Sequence, residues 1–321
     1  MANTVAAKPQ TLIPKQGIRR VLHNFKRDWM LWTLVVIPVV YIFIFNYVPI
    51  YGIQISFKEY SPRKGIMGSD WTGLENFAKF FDYYAWPDLV WNTLALSLMR
   101  FFLGDPLTIF AALAIHVYQG KRLKKLTQNI TYMPNFISLV IMIGILNTIL
   151  NPVSGLLGAV YRLFGIFGAD DIRTSKEAFR WVYWLSGEWQ GLGWSTILYV
   201  STLSGVPDEL HEAAKIDGAS RWRRIWAIDL PTILPTIGLL YIMGAANFLN
   251  VGHQKVYLMQ RATNLEVSEI ISTYVYKEGI RSGNQSFGSA VGLFQSMIGL
   301  VLTIFTNWLA STLSEGEIAL F

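Results

Sequence analysis

Long apolar runs, separated by short polar segments, dominate the pattern of hydrophobic and polar positions along this chain. A transmembrane α-helix needs roughly 20 consecutive, predominantly apolar residues. Six runs approach or exceed that length, at residues 29–53, 90–118, 129–150, 188–206, 231–250 and 286–312. The pattern therefore predicts an all-α, polytopic membrane protein with six transmembrane helices.

The fourth run is the most polar of the six. It contains Gln190, Ser195 and Thr196, followed by Ser201 and Thr202 near its end. Such side chains are poorly suited to lipid but form hydrogen bonds between helices. We therefore expect this helix to line a protein-surrounded cavity or a helix interface.

The composition agrees with a membrane protein and excludes several chemistries. Of the 321 residues, 52% are hydrophobic and 15% are charged, whereas roughly 25% are charged in soluble domains. The chain has no cysteine, which excludes disulfides, thiolate metal sites and cysteine nucleophiles. The four histidines, at 23, 116, 211 and 253, lack the spacing of a metal motif such as H-E-x-x-H. The sequence thus predicts neither a catalytic residue nor a metal site.

Basic residues concentrate in the segments 1–28, 119–128 and 207–230. Short loops rich in Lys and Arg remain on the cytoplasmic side of a membrane, so we expect both termini to be cytoplasmic. Residues 1–28 would then form a cytoplasmic segment, 29–312 the six-helix domain with a cytoplasmic loop at 207–230, and 313–321 a short tail. The net charge of +6 is explained by this topology, and no nucleic-acid partner is expected.

A few polar groups fall inside the apolar runs. Arg100 and Asp105 lie within the second run, which Asp105-Pro106 interrupts. Because charges at membrane depth are costly, they indicate a functional site. The alternative, given equal weight, is that the two satisfy each other, or a neighbouring helix, as a structural pair. Helix–helix hydrogen bonding is likewise the alternative for the other polar groups. The candidate substrate-pathway residues are Arg100, Asp105, Trp194, Asn247, Asn250 and Gln295.

The segment 207–230 is strongly polar although it lies between two apolar runs. Pro207, followed by two acidic residues, is typical of a helix start. Ala213 and Ala214 would make one face of this helix flat, and Gly218 would end it in a left-handed conformation. Ser220 would cap a second, interfacial helix before Pro231 opens the fifth run. An ordinary amphipathic loop is the alternative.

The same segment resembles the EAA signature of the permease subunits of type I binding-protein-dependent ABC importers. The matching residues are Glu212-Ala213-Ala214, Asp217-Gly218-Ala219, Ile228, Leu230-Pro231 and Pro235. Phrases such as YVPIYGIQISFKEYSPRKGI and YMPNFIS are similar to the carbohydrate-uptake branch, in particular to permeases of alginate and lipo-oligosaccharide importers.

The resemblance implies a coupling helix that docks onto a cytoplasmic ATPase. Glu212 would bond to the ATPase, Ala213 and Ala214 would form the close-packed face, and Gly218 would make the turn, flanked by Asp217 and Ala219. The implied partners are a second homologous permease, as a heterodimer, two ABC ATPases, a solute-binding protein, membrane lipid and a carbohydrate. The implied location is the bacterial cytoplasmic (inner) membrane, and this chain would carry no cofactor, since ATP and Mg²⁺ would bind to the ATPase subunits.

Two other functional classes fit the sequence less well. No G-x-x-x-x-G-K-[ST] motif is present, so the chain is not itself an ATPase. An ion-coupled secondary transporter, the alternative function, would require inverted hydropathy repeats and acidic residues on broken helices. Asp105-Pro106 is its one hint.

Overall fold

A computed structural model describes residues 29–118, 120–164 and 171–314. The chain divides into two units, Met1–Gln54 and Ile55–Phe321. In the first unit, helix α1 (Trp29–Ile42) continues through a π turn (Phe43–Tyr47) into a 3-10 helix that begins at Val48. The predicted terminal segment 1–28 and residues 315–321 of the predicted tail lie outside the described residues.

The described part of the second unit is mostly helical. Its one described pair of strands, β1 (Lys58–Glu59) and β2 (Asp70–Trp71), is antiparallel, with Lys58 opposite Trp71. The helices in chain order are α2 (Gly65–Gly68), α3 (Glu75–Phe81), α4 (Trp86–Met99), α5 (Asp105–Val117), α6 (Lys121–Tyr132), α7 (Leu139–Ile149), α8 (Leu156–Leu163), α9 (Lys176–Leu203), α10 (Asp208–Ile216), α11 (Arg221–Arg224), α12 (Leu230–Ala245), α13 (His253–Met259), α14 (Leu265–Ser268), α15 (Ile271–Val275) and α16 (Gln285–Leu313).

Four of the predicted apolar runs are single helical stretches in the described part of the chain. Each is long and apolar enough to cross a bilayer: Trp29–Phe57, Trp86–Val117, Arg221–Ala245 and Gln285–Thr312. These stretches contain most of the first, second, fifth and sixth runs. The prediction of an all-α polytopic membrane protein is therefore confirmed.

The third run, predicted as one span over 129–150, is instead sharply bent. Its helices Arg122–Phe136 and Leu139–Ile149 meet at 101°. Pro134 lacks a backbone N–H, and the Ser138 hydroxyl accepts the Ile141 N–H, which starts a new helix. Hydropathy alone did not reveal this break, because the run remains apolar through it.

The fourth run lies on α9, which has 28 residues and is about 42 Å long. Because of its polar residues, this helix is less apolar than the four long stretches named above, within the described part of the chain. Tyr199, Val200 and Leu203 pack in one buried cluster with residues of α5 and α12. Near its middle, Gly193 lies against the backbone of Thr131 on α6. The expectation that this helix faces other protein is met along these contacts.

Three of the long stretches contain a π turn just before a proline. At the end of each turn an N–H donates to the carbonyl five residues back: Val48 to Phe43, Asp105 to Arg100, and Leu230 to Ile225. The next residue is proline in all three cases, and it has no N–H for the usual bond four residues back. The wide turn lets the helix pass each proline without ending.

Candidate functional site

The EAA-like residues form an exposed helix followed by a tight corner. α10 begins after Pro207 and has Asp208 and Glu209 in its first turn. It ends with two bonds of a Schellman motif: the Ala219 N–H donates to the Ala214 carbonyl (2.8 Å), and the Gly218 N–H donates to the Lys215 carbonyl (3.0 Å). Gly218 has φ +76°. The predicted glycine corner is therefore present.

One face of α10 is exposed, and no other described element covers it. Glu212 and Ala213 are exposed, and Ile216 keeps 87% of its surface accessible. Ala214 and His211 are half-buried on the opposite side. A short helix with this exposure offers a small, flat surface to another protein.

The stretch after the corner differs in extent from the prediction. Ser220 caps the next helix as expected, since its hydroxyl accepts the Arg223 N–H (3.3 Å). However, this helix does not stop before Pro231. The π turn Ile225–Asp229 joins it to α12, so Arg221–Ala245 is one helical stretch. The fifth span and the predicted loop 207–230 therefore overlap.

A cavity of about 810 Å³ lies between the long helices of the second unit. Three of the six pathway candidates line it: Arg100, Asp105 and Trp194. The rest of its lining is mostly apolar and aromatic, and includes Phe101, Tyr241, Phe248 and Phe305. A cavity with aromatic walls and a few polar groups is typical of a small-molecule or sugar site.

The other three candidates lie elsewhere. Asn247 and Asn250 are exposed in the turn that follows α12, and Gln295 is half-buried in α16. None of them lines the cavity. The structure thus separates the predicted pathway residues into two groups of three.

Among the described residues, Arg100 and Asp105 are the charged residues that line this cavity. Arg100 acts electrostatically on Asp105 and on Glu188 of α9. In the described part of the chain no ion pair within 4.0 Å joins Arg100 with Asp105, so the structural alternative would need a partner on a neighbouring helix. Glu188 packs over Gly104, where an added Cβ would stand 2.5 Å from its Oε1.

Lys255 on α13 interacts electrostatically with Glu188 and lies outside the predicted apolar runs. Its Nζ donates to the Tyr183 carbonyl (2.7 Å) and lies 4.5 Å from the centre of the Tyr183 ring. Burial lowers the pKa of Lys255 to about 8, although the Glu188 carboxylate acts in the opposite direction. The sequence analysis missed both Glu188 and Lys255, but an acidic residue at the start of an apolar run was a usable signal for Glu188.

Three further residues that the sequence analysis missed lie close together where α10 meets the long helices. They are His116, His211 and Asp229, which come from three different elements. The spacing of the two histidines along the chain gave no signal, because only the packing of α5, α10 and the π turn brings them together.

The comparisons with known proteins agree with this architecture. Residues 104–315 match the family described as "Binding-protein-dependent transport system inner membrane component". The chain is 37% identical over 306 residues to the polygalacturonan/rhamnogalacturonan transport system permease protein YteP of Bacillus subtilis (strain 168), covering 95% of this chain and 94% of YteP. It is 35% identical over 292 residues to protein LplB of the same organism, covering 90% and 91%.

Two solved structures share the fold. One is a bacterial ABC transporter involved in the import of the acidic polysaccharide alginate, with TM-score 0.83, 32% identity, and coverage of 92% of this chain and 99% of that chain. The other is a bacterial alginate ABC transporter in complex with an alginate pentasaccharide-bound periplasmic protein, with TM-score 0.83, 31% identity and the same coverage. The fold is therefore that of a type I ABC importer permease. From its fold, the EAA-like corner and the match over residues 104–315, this chain belongs to the family of inner membrane components of binding-protein-dependent transport systems.

Proposed function

We propose that this chain is one of two permease subunits in an ATP-driven importer of an acidic oligosaccharide or polysaccharide. The carbohydrate is supported by the names of its relatives, which describe transport of polygalacturonan, rhamnogalacturonan and alginate. These polymers consist largely of sugar acids. The cavity holds several aromatic rings, one basic residue, Arg100, and one acidic residue, Asp105. Its rings and Arg100 fit such a ligand, because aromatic rings stack on sugar faces and a guanidinium pairs with carboxylates. None of the relatives reported above supports the ion-coupled alternative.

The single observation that carries the coupling mechanism is the exposed corner formed by α10 and Gly218. In this proposal α10 is the coupling helix and docks onto one of two ABC ATPase subunits. Glu212 bonds to the ATPase, and the small side chains of the exposed Ala213 and the half-buried Ala214 keep the helix narrow enough for close approach. Asp217, Gly218 and Ala219 fix the turn. ATP and Mg²⁺ bind to the ATPases alone.

The remaining parts of the assembly follow from this orientation. Docking of α10 from the cytoplasm places both termini on that side, and a solute-binding protein delivers the sugar from the other. A second homologous permease completes the pathway, and the two subunits alternate between inward- and outward-open states. Within this chain we assign residues 29–312 to the six-span domain, with α9 and the bent pair α6–α7 as the two less regular spans.

The test of docking uses two acidic residues on one helix. Glu212 and Glu209 are both exposed on α10. In the complex purified from native membranes with its ATPase and reconstituted in liposomes, Glu212→Ala should lose most ATPase stimulation by the loaded binding protein. Glu209→Ala should keep it. Full stimulation of Glu212→Ala, in a complex that inserts normally, would rule out the docking role.

The test of the sugar pathway compares two tryptophans of α9 with similar exposure. Trp194 lines the cavity, whereas Trp181 does not, and their exposed fractions are 51% and 54%. Uptake of labelled alginate or polygalacturonate oligosaccharides should fall in Trp194→Ala and in Arg100→Gln but remain in Trp181→Ala. Uptake at the wild-type level in all three variants would show that the pathway does not pass through this cavity.

A further inference from the structure

His116, His211 and Asp229 form a compact cluster where three elements meet. His116 lies near the end of α5, His211 on α10, and Asp229 in the π turn before α12. The Asp229 Oδ1 is 3.2 Å from His211 Nε2 and 3.6 Å from His116 Nε2. One ligand atom from each residue lies within 4.8 Å of the others.

The carboxylate at the centre of the cluster is buried and lacks hydrogen bonds. Asp229 is 1% exposed, and both of its side-chain oxygens lack a hydrogen-bond partner among the described residues. His211 Nε2 also lacks one, so its approach to Oδ1 does not have hydrogen-bond geometry. A buried carboxylate without donors is costly and requires a positive partner.

We propose that this cluster is a binding site for a divalent transition-metal ion of the Zn²⁺ type. Imidazole nitrogens and a carboxylate oxygen are a common donor set for zinc. With metal–ligand distances of about 2.0–2.2 Å, two ligands of a tetrahedral site are about 3.3 Å apart. The separations of 3.2 and 3.6 Å are close to that value. Three protein ligands leave a fourth position for water.

The surrounding charge is compatible with a cation. Besides Asp229, the charged side chains that act on His116 are Asp208 and Lys124. Two carboxylates and one ammonium leave a net charge of −1 before the metal binds. The ion would neutralise Asp229, which no described side chain does by hydrogen bonding.

The location gives the metal a mechanical consequence. His211 is the ligand on α10, and the other two ligands belong to the long helices beneath it. A bound ion would therefore tie α10 to the spans on which it rests. Any effect of the metal on ATPase activity rests on the proposed docking role, but metal binding itself does not.

The test is a Co²⁺ titration, because tetrahedral Co²⁺ with nitrogen and oxygen ligands absorbs visibly. The full chain should be purified with its bound subunits through a peptide tag without histidine, then freed of metal with chelator. We expect tetrahedral Co²⁺ bands that Zn²⁺ displaces, and a higher melting temperature with Zn²⁺. Loss of one ligand in His211→Gln or His116→Gln should weaken binding by at least about tenfold, the lower range for outer-shell changes.

Two controls distinguish the loss of this site from misfolding and from metal binding at other sites. His253→Gln changes a histidine outside the cluster and should leave Co²⁺ binding unchanged. His211→Gln lies on an exposed helix, so its elution profile should match the wild type even if Asp229→Asn folds poorly. Binding that persists in the variant lacking all three ligands, or no tetrahedral Co²⁺ band in the wild type, would overturn the proposal.

Discussion

Gly193 of α9 lies directly against the carbonyl group of Thr131 on α6. A Cβ added at Gly193 would stand 2.1 Å from the Thr131 oxygen and 2.4 Å from its carbonyl carbon. Both are backbone atoms, which cannot rotate away. The contact therefore fixes how closely the long polar helix approaches the amphipathic helix that precedes the bend.

Gly193→Ala should destabilise the chain, because either α6 or α9 must shift to admit the methyl group. We expect a loss of about 1–3 kcal/mol, as for other overpacked sites. The measurement is the melting temperature of the purified chain. Gly191→Ala is the matched control: a Cβ there meets nothing within 4 Å, and alanine in a helix is favoured over glycine by about 0.5–1 kcal/mol. Equal melting temperatures for the two variants would contradict the contact.

The effect of replacing Gly218 on stability should depend on its left-handed backbone conformation and not on the space around it. A Cβ at Gly218 meets nothing within 4 Å, but φ is +76°. Gly218→Val should therefore lower stability by more than the roughly 1–2 kcal/mol typical of the left-handed region, whereas Gly218→Asn should cost less. Hydrogen exchange at Asp217–Ala219 would report the loosened corner. If valine and asparagine behaved alike, backbone conformation would not be the reason for glycine here.

Asn92 anchors the segment between the fifth and sixth runs to α4. Its amide Nδ2 donates to the carbonyls of Glu266 (2.8 Å) and Glu269 (3.0 Å), and its Oδ1 accepts from Arg180 (3.0 Å). Asn92→Asp keeps the shape and the acceptor but loses both donors. We expect faster hydrogen exchange around 266–271, since partly buried carbonyls left without donors cost about 1–3 kcal/mol each. Asn247→Ala, at an exposed position, should leave that exchange unchanged.

Lys255 should make the stability of the chain depend on pH above neutrality. Burial lowers its pKa to about 8 in the folded chain, against 10.5 for an ordinary lysine. Below pH 8 both states are protonated, and the cost of burying the charge is fully present. Between pH 8 and pH 10.5 the unfolded chain binds more protons than the folded chain, so the free energy of unfolding rises with pH.

The expected gain attributable to Lys255 is about 1 kcal/mol between pH 7 and pH 9, or roughly 2 °C in melting temperature. Lys255→Met removes this titration and supplies the reference curve. Parallel curves for wild type and Lys255→Met over that range would show that the lysine titrates normally in the folded chain.

Local signals in the sequence were sufficient for the EAA-like corner. Pro207, Gly218 and Ser220 each act on the backbone within a few residues, so their roles follow from steric and capping rules. The bend between α6 and α7 also has local causes, Pro134 and Ser138, but a hydropathy average over 20 residues does not register them.

Other features required the tertiary structure. Arg100 and Asp105 were found as charges inside an apolar run, which is a one-dimensional signal. Their position in the cavity beside Trp194, and the separation of Gln295 from it, depend on how helices far apart in sequence pack together. His116, His211 and Asp229 are of the same kind, since no sequence spacing links them.

The prolines that follow the π turns before α5 and α12 also determine where those turns occur. In a uniform helix, a skipped bond has no preferred position and moves along the ladder one residue at a time. Pro106 and Pro231 remove the donor at one defined place. The direction in which every later side chain points around the helix axis, including those that face the cavity, is thereby fixed.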